Sequence, residues 1–176
     1  MMCRRICLAR DCRGAAAAEM ALVLPLLLVI LFGSLELGNY FMNEHTLVKA
    51  VRDGARFAGR QTFANYTSCS GSPGGTVVAD TRNIVMNGYL SGGSIVTPNI
   101  QASDISVTAS CKSTANGQTM SGIYAGRDVD GDTQDDALIV TVSASVSYRP
   151  ILSSAFGFSG VGMSLNAASE AAVAGM

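Results

Sequence analysis

Residues 13–35 of the chain read Arg13-Gly14-Ala15-Ala16-Ala17-Ala18-Glu19-Met20-Ala21-Leu22-Val23-Leu24-Pro25-Leu26-Leu27-Leu28-Val29-Ile30-Leu31-Phe32-Gly33-Ser34-Leu35. No residue from Met20 to Leu35 is charged. With the alanines before Glu19, the apolar run reaches the length of about 20 residues that a helix needs to cross a bilayer core. The stretch therefore predicts a transmembrane helix, which we place at residues 15–38.

Glu19 lies four residues inside this apolar run. An unpaired carboxylate costs about 2.5–3.5 kcal/mol at the centre of a bilayer, and less near its edge. The residues alone leave two interpretations open. Either Glu19 lies at the membrane surface and reaches water, or it is a functional group that acquires a partner.

The residues around Glu19 resemble those of a known family. A short basic leader ends at Gly14, small residues follow, and a glutamate stands fifth after that glycine, as in a type IV prepilin-type processing site. The continuation is similar to the TadE-like family of Tad (Flp) pilus assembly proteins over roughly residues 13–60. The similarity is carried by Ala21-Leu22-Val23-Leu24-Pro25, Phe32-Gly33, Glu36-Leu37-Gly38 and Ala50-Val51-Arg52-Asp53-Gly54-Ala55-Arg56.

This resemblance implies a minor pseudopilin that a prepilin peptidase cleaves between Gly14 and Ala15. It also implies that Glu19 pairs with the new N-terminal amine of a neighbouring subunit, or with its own before assembly. The expected partners are the peptidase, other pilin-like subunits, the Tad secretion machinery and membrane lipid. The corresponding division of the chain is a leader at 1–14, the transmembrane helix at 15–38, a periplasmic extension of that helix at 39–63, and a small α+β periplasmic domain at 64–176.

The distribution of charge favours a cytoplasmic N-terminus and a periplasmic C-terminal domain on a bacterial inner membrane. The leader has four arginines against one aspartate, whereas the remainder has eight Lys plus Arg against twelve Asp plus Glu. Positive charge before a membrane helix keeps that end in the cytoplasm. Because the exported part is acidic and has no basic and aromatic patch, we expect no binding to nucleic acid.

The cysteines divide in the same way. Cys3, Cys7 and Cys12 precede the helix, whereas Cys69 and Cys111 follow it. An even pair in an oxidising compartment predicts one disulfide, with two free thiols as the alternative. In the chain-entropy model, closing this loop of about 43 residues stabilises the fold by about 4 kcal/mol.

Apolar residues continue at helical spacing beyond the membrane and predict an unbroken helix from Ala15 to Gly59. The predicted apolar face consists of Leu37, Phe41, Val48, Val51, Ala55 and Ala58. A basic stripe on another face consists of Lys49, Arg52, Arg56 and Arg60. This stripe is typical of a solvated surface, and an acidic partner subunit is the alternative.

The rest of the chain predicts an antiparallel sheet packed on this helix, which gives an α+β fold. Residues 66–75 are turn formers and predict a loop, after which Thr76 predicts the N-cap of a second helix that ends near Tyr89. Alternating apolar residues predict strands at 105–111 and 138–148, and a third strand at 161–168.

One acidic cluster has the residue types of a metal site. Asp128, Asp130, Asp132 and Asp136 are hard oxygen ligands in a turn and are candidates for calcium. The EF-hand pattern fails, since Thr133 replaces its glycine and Ile139 replaces its final glutamate. A solvated hairpin loop without an ion is the alternative, and we expect no other cofactor.

No motif in the sequence indicates an enzyme. His45 is the only histidine, and the sequence has no nucleophile elbow, Walker loop or dinucleotide fingerprint. Two hypotheses remain: a TadE-like minor pseudopilin, and a permanently anchored single-span envelope protein. The periplasmic domain of the latter would bind a wall component or a signalling partner.

Overall fold

The computed structural model describes residues 13–113, 120–151 and 162–175. The leader before Arg13, with its three cysteines, lies outside these ranges, as does Val161 at the start of the third predicted strand. The helices are α1 (Arg13–Gly59) and α2 (Val77–Asn87), and the strands are β1 (Ser70–Gly71), β2 (Ile105–Ser113), β3 (Asp136–Ser147) and β4 (Ser164–Ala172). Short 3-10 turns cover Phe63–Asn65, Ala102–Asp104 and Gly122–Tyr124. The predicted α+β class is confirmed.

Helix α1 has 47 residues and continues through Pro25 without a break. At about 1.5 Å per residue it measures about 70 Å, more than twice the thickness of a bilayer core. Residues 16–35 are exposed except for half-buried Phe32. Among the described residues, this is the one helix that is long and apolar enough to cross a membrane.

The outer half of α1 packs against the sheet and α2. Val51, Ala55 and Ala58 are buried, as the helical spacing predicts, and Leu47 and Ala50 join them. Small side chains here let the sheet approach the helix closely. The prediction was wrong for two other residues of the apolar face, Leu37 and Phe41, which are 55% and 51% exposed. At their level the folded domain contacts α1 from the side of Glu36 and Tyr40 instead.

The four strands form one antiparallel sheet in the order β1-β2-β3-β4. In the centre, Val142 of β3 pairs with Val107 of β2 and with Ser169 of β4. One face of β3 carries Leu138, Val140, Val142, Ala144 and Val146, all buried. The opposite face carries serine, threonine and alanine, with larger Ile139 half-buried near one end. The period of two thus predicts correctly which face of β3 lies against the helices.

The edges of the sheet differ from the prediction. Strand β4 covers Ser164–Ala172 and not 161–168, because it pairs with β3 as far as Ala172 opposite Ile139. Its alanines and serines do not alternate in polarity, so no sequence period marks this end. Strand β1 lies inside the predicted loop, where Ser70 and Gly71 pair with Ser110 and Ala109.

Helix α2 begins one residue after Thr76, as predicted, but the Thr76 side chain makes no capping hydrogen bond. The helix ends at Asn87, two residues before the predicted end, since Gly88 takes a left-handed conformation with φ 75°. It crosses α1 at Gly54. A Cβ atom on Gly54 would lie 2.5 Å from Cγ2 of Val85, so only glycine permits this crossing without displacing Val85.

Candidate functional site

Gly14, Ala15 and Glu19 lie together in the first turns of α1. Gly14 is exposed, and a Cβ atom added to it would have no heavy atom within 4 Å apart from its chain neighbours and the nearby backbone of α1. Four residues separate Ala15 from Glu19, a rise of about 6 Å that places them on one face of the helix. Gly14 is therefore accessible, and the predicted cleavage bond lies about one helical turn before Glu19.

Within the described residues, Glu19 has no cationic partner. The ion pair found there joins Arg56 to Asp53 at 3.9 Å, far along the same helix. The side chain of Glu19 is exposed, as are the apolar residues that follow it. A carboxylate at this place in a membrane therefore needs water, or a cation supplied from elsewhere.

A second polar site lies at the other end of the apolar run. The hydroxyl of Tyr148 donates a hydrogen bond to Oε1 of Glu36. The backbone N–H of Ile151 donates to the same oxygen at 3.2 Å, and Nδ2 of Asn39 donates to the Tyr148 hydroxyl at 2.8 Å. We call Glu36, Asn39 and Tyr148 the junction, because they join α1 to the residues that follow β3.

Burial favours the protonated form of Tyr148 in this junction. The side chain is buried, and desolvation is the main cause that raises its pKa above 10.0. The hydrogen bond to Glu36 raises the pKa further, and the bond from Asn39 opposes this. At neutral pH the phenol therefore remains a donor to the carboxylate.

Aromatic packing supports the same contact. The ring of Tyr40 meets that of Tyr148 edge to face, with centroids 5.2 Å apart. The Tyr40 hydroxyl donates to the carbonyl of Ser164 at 3.4 Å. Helix α1 thus contacts the sheet near the end of β3 and the start of β4. The sequence contained one signal for this site, Glu36 in the family motif, but nothing that paired it with Tyr148.

The two cysteines predicted to pair lie at bonding distance. Their sulfur atoms are 1.95 Å apart and their Cα atoms 4.8 Å apart. Strand pairing explains the approach, because Ser70 lies opposite Ser110, and each cysteine is next to one of these residues. The disulfide therefore fixes the short edge strand β1 to β2.

The structure brings together three of the four aspartates predicted to bind calcium. One carboxylate oxygen from each of Asp128, Asp130 and Asp136 lies within 4.8 Å of the others. Asp132 accepts hydrogen bonds from the backbone and side chain of Gln134 at 2.8 and 3.0 Å instead. The cluster has the oxygen chemistry that calcium takes, and the ion itself stays a prediction.

Charges within this cluster repel one another. The backbone N–H of Asp132 lowers the pKa of Asp130, but desolvation and the carboxylates of Asp132, Asp136 and Asp128 together raise it above 3.8. A cation placed among the carboxylates would relieve that repulsion.

Two neighbouring aspartates fold the loop onto the sheet. Asp136 is fully buried and accepts hydrogen bonds from Oγ of Ser113 at 2.8 Å and from the backbone N–H of Val129 at 3.0 Å. Asp135, which is not among the four predicted calcium ligands, accepts hydrogen bonds from the backbone N–H groups of Met120 and Gly126 at 2.7 and 2.8 Å. Two adjacent aspartates at the start of β3 are the sequence signal for this role.

We expect Asp136→Ala to destabilise the protein by about 2–3 kcal/mol, because the hydrogen bonds from Ser113 and Val129 to this buried carboxylate are lost. The control Asp132→Ala removes an exposed carboxylate from the same loop and should change stability by less than about 0.5 kcal/mol. Thermal unfolding of the full chain in detergent measures both. Equal melting temperatures for the two variants would contradict the assigned role, and repeating the melts with calcium tests the ion.

The family motif around Gly54 has a structural explanation in this geometry. Ala50, Val51, Gly54 and Ala55 face the core, whereas the charged residues between them are exposed. The motif therefore contains the contacts that join α1 to α2 and the sheet.

No curated protein and no solved structure gives a significant match to the chain. A family model does match, over the part of the chain that forms the membrane helix and its outer extension. Residues 14–56 match the model of the TadE-like protein family, which confirms the family that the sequence indicated for this segment.

Proposed function

We propose that this protein is a TadE-like minor pseudopilin that takes part in Tad (Flp) pilus assembly at the cell envelope. In this proposal a prepilin peptidase cleaves the chain between Gly14 and Ala15. The observation that supports it most is the extent of the family match, which begins at Gly14 and ends at Arg56. The role is structural and not enzymatic.

Cleavage would supply the cation that Glu19 lacks within the described residues. The new amine on Ala15 has a reference pKa of about 7.7–8.0 and is largely protonated at neutral pH. Before assembly, this amine lies one helical turn from Glu19 of the same chain. During assembly, the amine of one subunit pairs with Glu19 of its neighbour, which offsets the cost of a carboxylate in the membrane.

The surface of α1 suits association with other membrane helices. Residues 16–35 are almost entirely exposed, so lipid or neighbouring pilin-like subunits can cover them. The alanines on both sides of Glu19 are small and allow another helix to approach closely. These subunits and the Tad secretion machinery are the proposed partners.

The proposal places the leader in the cytoplasm and the folded domain in the periplasm. The basic leader supports this orientation through its excess of arginine. The peptidase then acts at the cytoplasmic face, and the Cys69–Cys111 pair lies in an oxidising compartment that preserves disulfides.

We expect deletion of the gene to abolish pili, and the wild-type gene to restore them. Glu19→Ala should be processed normally but fail to restore pili, because the new amine then has no carboxylate to pair with. The control Met20→Ala truncates a neighbouring exposed side chain and should restore pili fully. Electron microscopy of the cells and mass spectrometry of the subunit give the two measurements.

Normal piliation after deletion would contradict the proposal. It would favour a permanently anchored envelope protein with a periplasmic binding domain. Loss of pili in both the Glu19→Ala and Met20→Ala strains would show that any truncation of this turn disrupts assembly, and would contradict a specific role for the carboxylate.

A further inference from the structure

The junction lies near one boundary of the membrane. Glu36 follows Glu19 by 17 residues, which is about 26 Å along the helix compared with about 30 Å for a bilayer core. If Glu19 lies at one boundary of the core, Glu36 therefore lies within about one turn of the other. The hydrogen bonds from Tyr148 and Ile151 to Glu36 bring part of the folded domain to this same level.

Apolar side chains are exposed at that level. Ile151 donates its backbone N–H to Glu36, yet its side chain is 65% exposed. Leu37 and Phe41 are more than half exposed on the adjoining turns of α1. A single exposed apolar residue is ordinary on a soluble surface, but these three lie where the membrane helix leaves the apolar run.

The polar residues at this level suit lipid headgroups. Exposed Arg149 shares a cavity of about 250 Å³ with Asn39 and Asn43 of α1, which places its chain segment beside the helix. An arginine there can reach lipid phosphates, while tyrosines are enriched at the same depth in membrane proteins. Tyr40 is half-buried at that depth, with its ring packed edge to face on that of buried Tyr148.

We propose that the folded domain rests on the bilayer that α1 crosses, with Leu37, Phe41, Arg149 and Ile151 seated in the headgroup region. We call these four residues the interfacial collar. Continuity with the membrane helix identifies lipid as the occupant of this surface. The sequence from Ile151 to Gly162 has no charged residue that would oppose contact with lipid. The inference requires α1 to cross a bilayer, but it does not depend on cleavage after Gly14.

Tryptophan fluorescence tests this contact, because the chain contains no tryptophan. Full-length Ile151→Trp is reconstituted at low density in vesicles of phosphatidylcholine and phosphatidylglycerol, with or without brominated acyl chains. We expect its emission to be shifted to the blue and to be quenched by the brominated lipid. Phe41→Trp places a second probe in the collar and should give the same result. If one of the two substitutions disturbs the fold, the other still tests the contact.

Ile123→Trp is the matched control. Ile123 is 55% exposed, and it precedes Tyr124, whose ring contacts Phe63 just beyond the far end of α1. That end lies about 35 Å from Glu36 along the helix. The tryptophan of Ile123→Trp should emit as in water, be quenched by soluble iodide, and be unaffected by brominated lipid.

Water-like emission from both collar probes, with quenching by iodide alone, would overturn the proposal. So would collar probes that are shielded from iodide but not quenched by brominated lipid, since that result identifies a protein as the occupant. Equal lipid quenching at the Ile123 control would also overturn it, because the domain would then lie along the membrane instead of standing on the collar. A cooperative thermal transition like that of the wild type establishes that each variant is folded.

Discussion

Gly14→Val is expected to leave the whole leader on the protein in a host that contains the matching prepilin peptidase. The resemblance to prepilins implies that the peptidase needs a small residue before the cut, and valine adds a branched side chain there. A Cβ atom at Gly14 meets no heavy atom within 4 Å beyond its chain neighbours and the nearby backbone of α1, so the substitution should not disturb the folded chain. The intact mass of the purified protein measures the effect, which should be a nearly complete loss of processing.

Gly33→Val is the matched control for this substitution. Gly33 is also exposed in α1 and also has no neighbour within 4 Å of an added Cβ. It lies 19 residues beyond Gly14, far from the proposed cut, so the variant should be processed like the wild type. Normal processing of Gly14→Val, or loss of processing in both variants, would contradict the assignment of the cleavage bond.

Replacing both Cys69 and Cys111 by serine is expected to destabilise the folded domain by about 3–4 kcal/mol. Their disulfide closes a long loop that contains α2 and most of β2, so its loss restores conformational freedom to the unfolded chain. The edge strand β1 has two residues, and it loses its covalent attachment to β2. Thermal unfolding of the full chain in detergent measures the lowered melting temperature.

Replacing Cys3, Cys7 and Cys12 by serine provides the control. These cysteines precede α1, and their loss should leave the melting temperature unchanged. Addition of a reductant should lower the melting temperature of the wild type and of this control to that of the double variant. A double variant that melts like the wild type would show that the disulfide does not contribute to stability.

Local sequence periods predicted most of the helices and strands. The uninterrupted apolar run and the helical spacing after it predicted α1 to Gly59, and alternation predicted β2 and the inward face of β3. Each of these signals comes from residues a few positions apart, which share one face of a helix or strand. Strand β4 was misplaced because its alanines and serines are too similar to show an alternation.

Contacts between distant residues could not be predicted in this way. Glu36 and Tyr148 are separated by 112 positions, and their hydrogen bond depends on how the end of β3 meets α1. Leu37 and Phe41 have the spacing of a buried face, yet the domain contacts α1 on a different side there. The cysteine pair could be predicted because only two cysteines follow the membrane helix, so the choice required no geometry.

The central claim is that cleavage between Gly14 and Ala15 produces the functional pseudopilin, and N-terminal mass spectrometry tests it most directly. The wild-type protein is expressed in a host with the matching prepilin peptidase and is purified from the membrane. The proposal predicts a chain that begins at Ala15. A chain that retains the leader and Gly14 would contradict it.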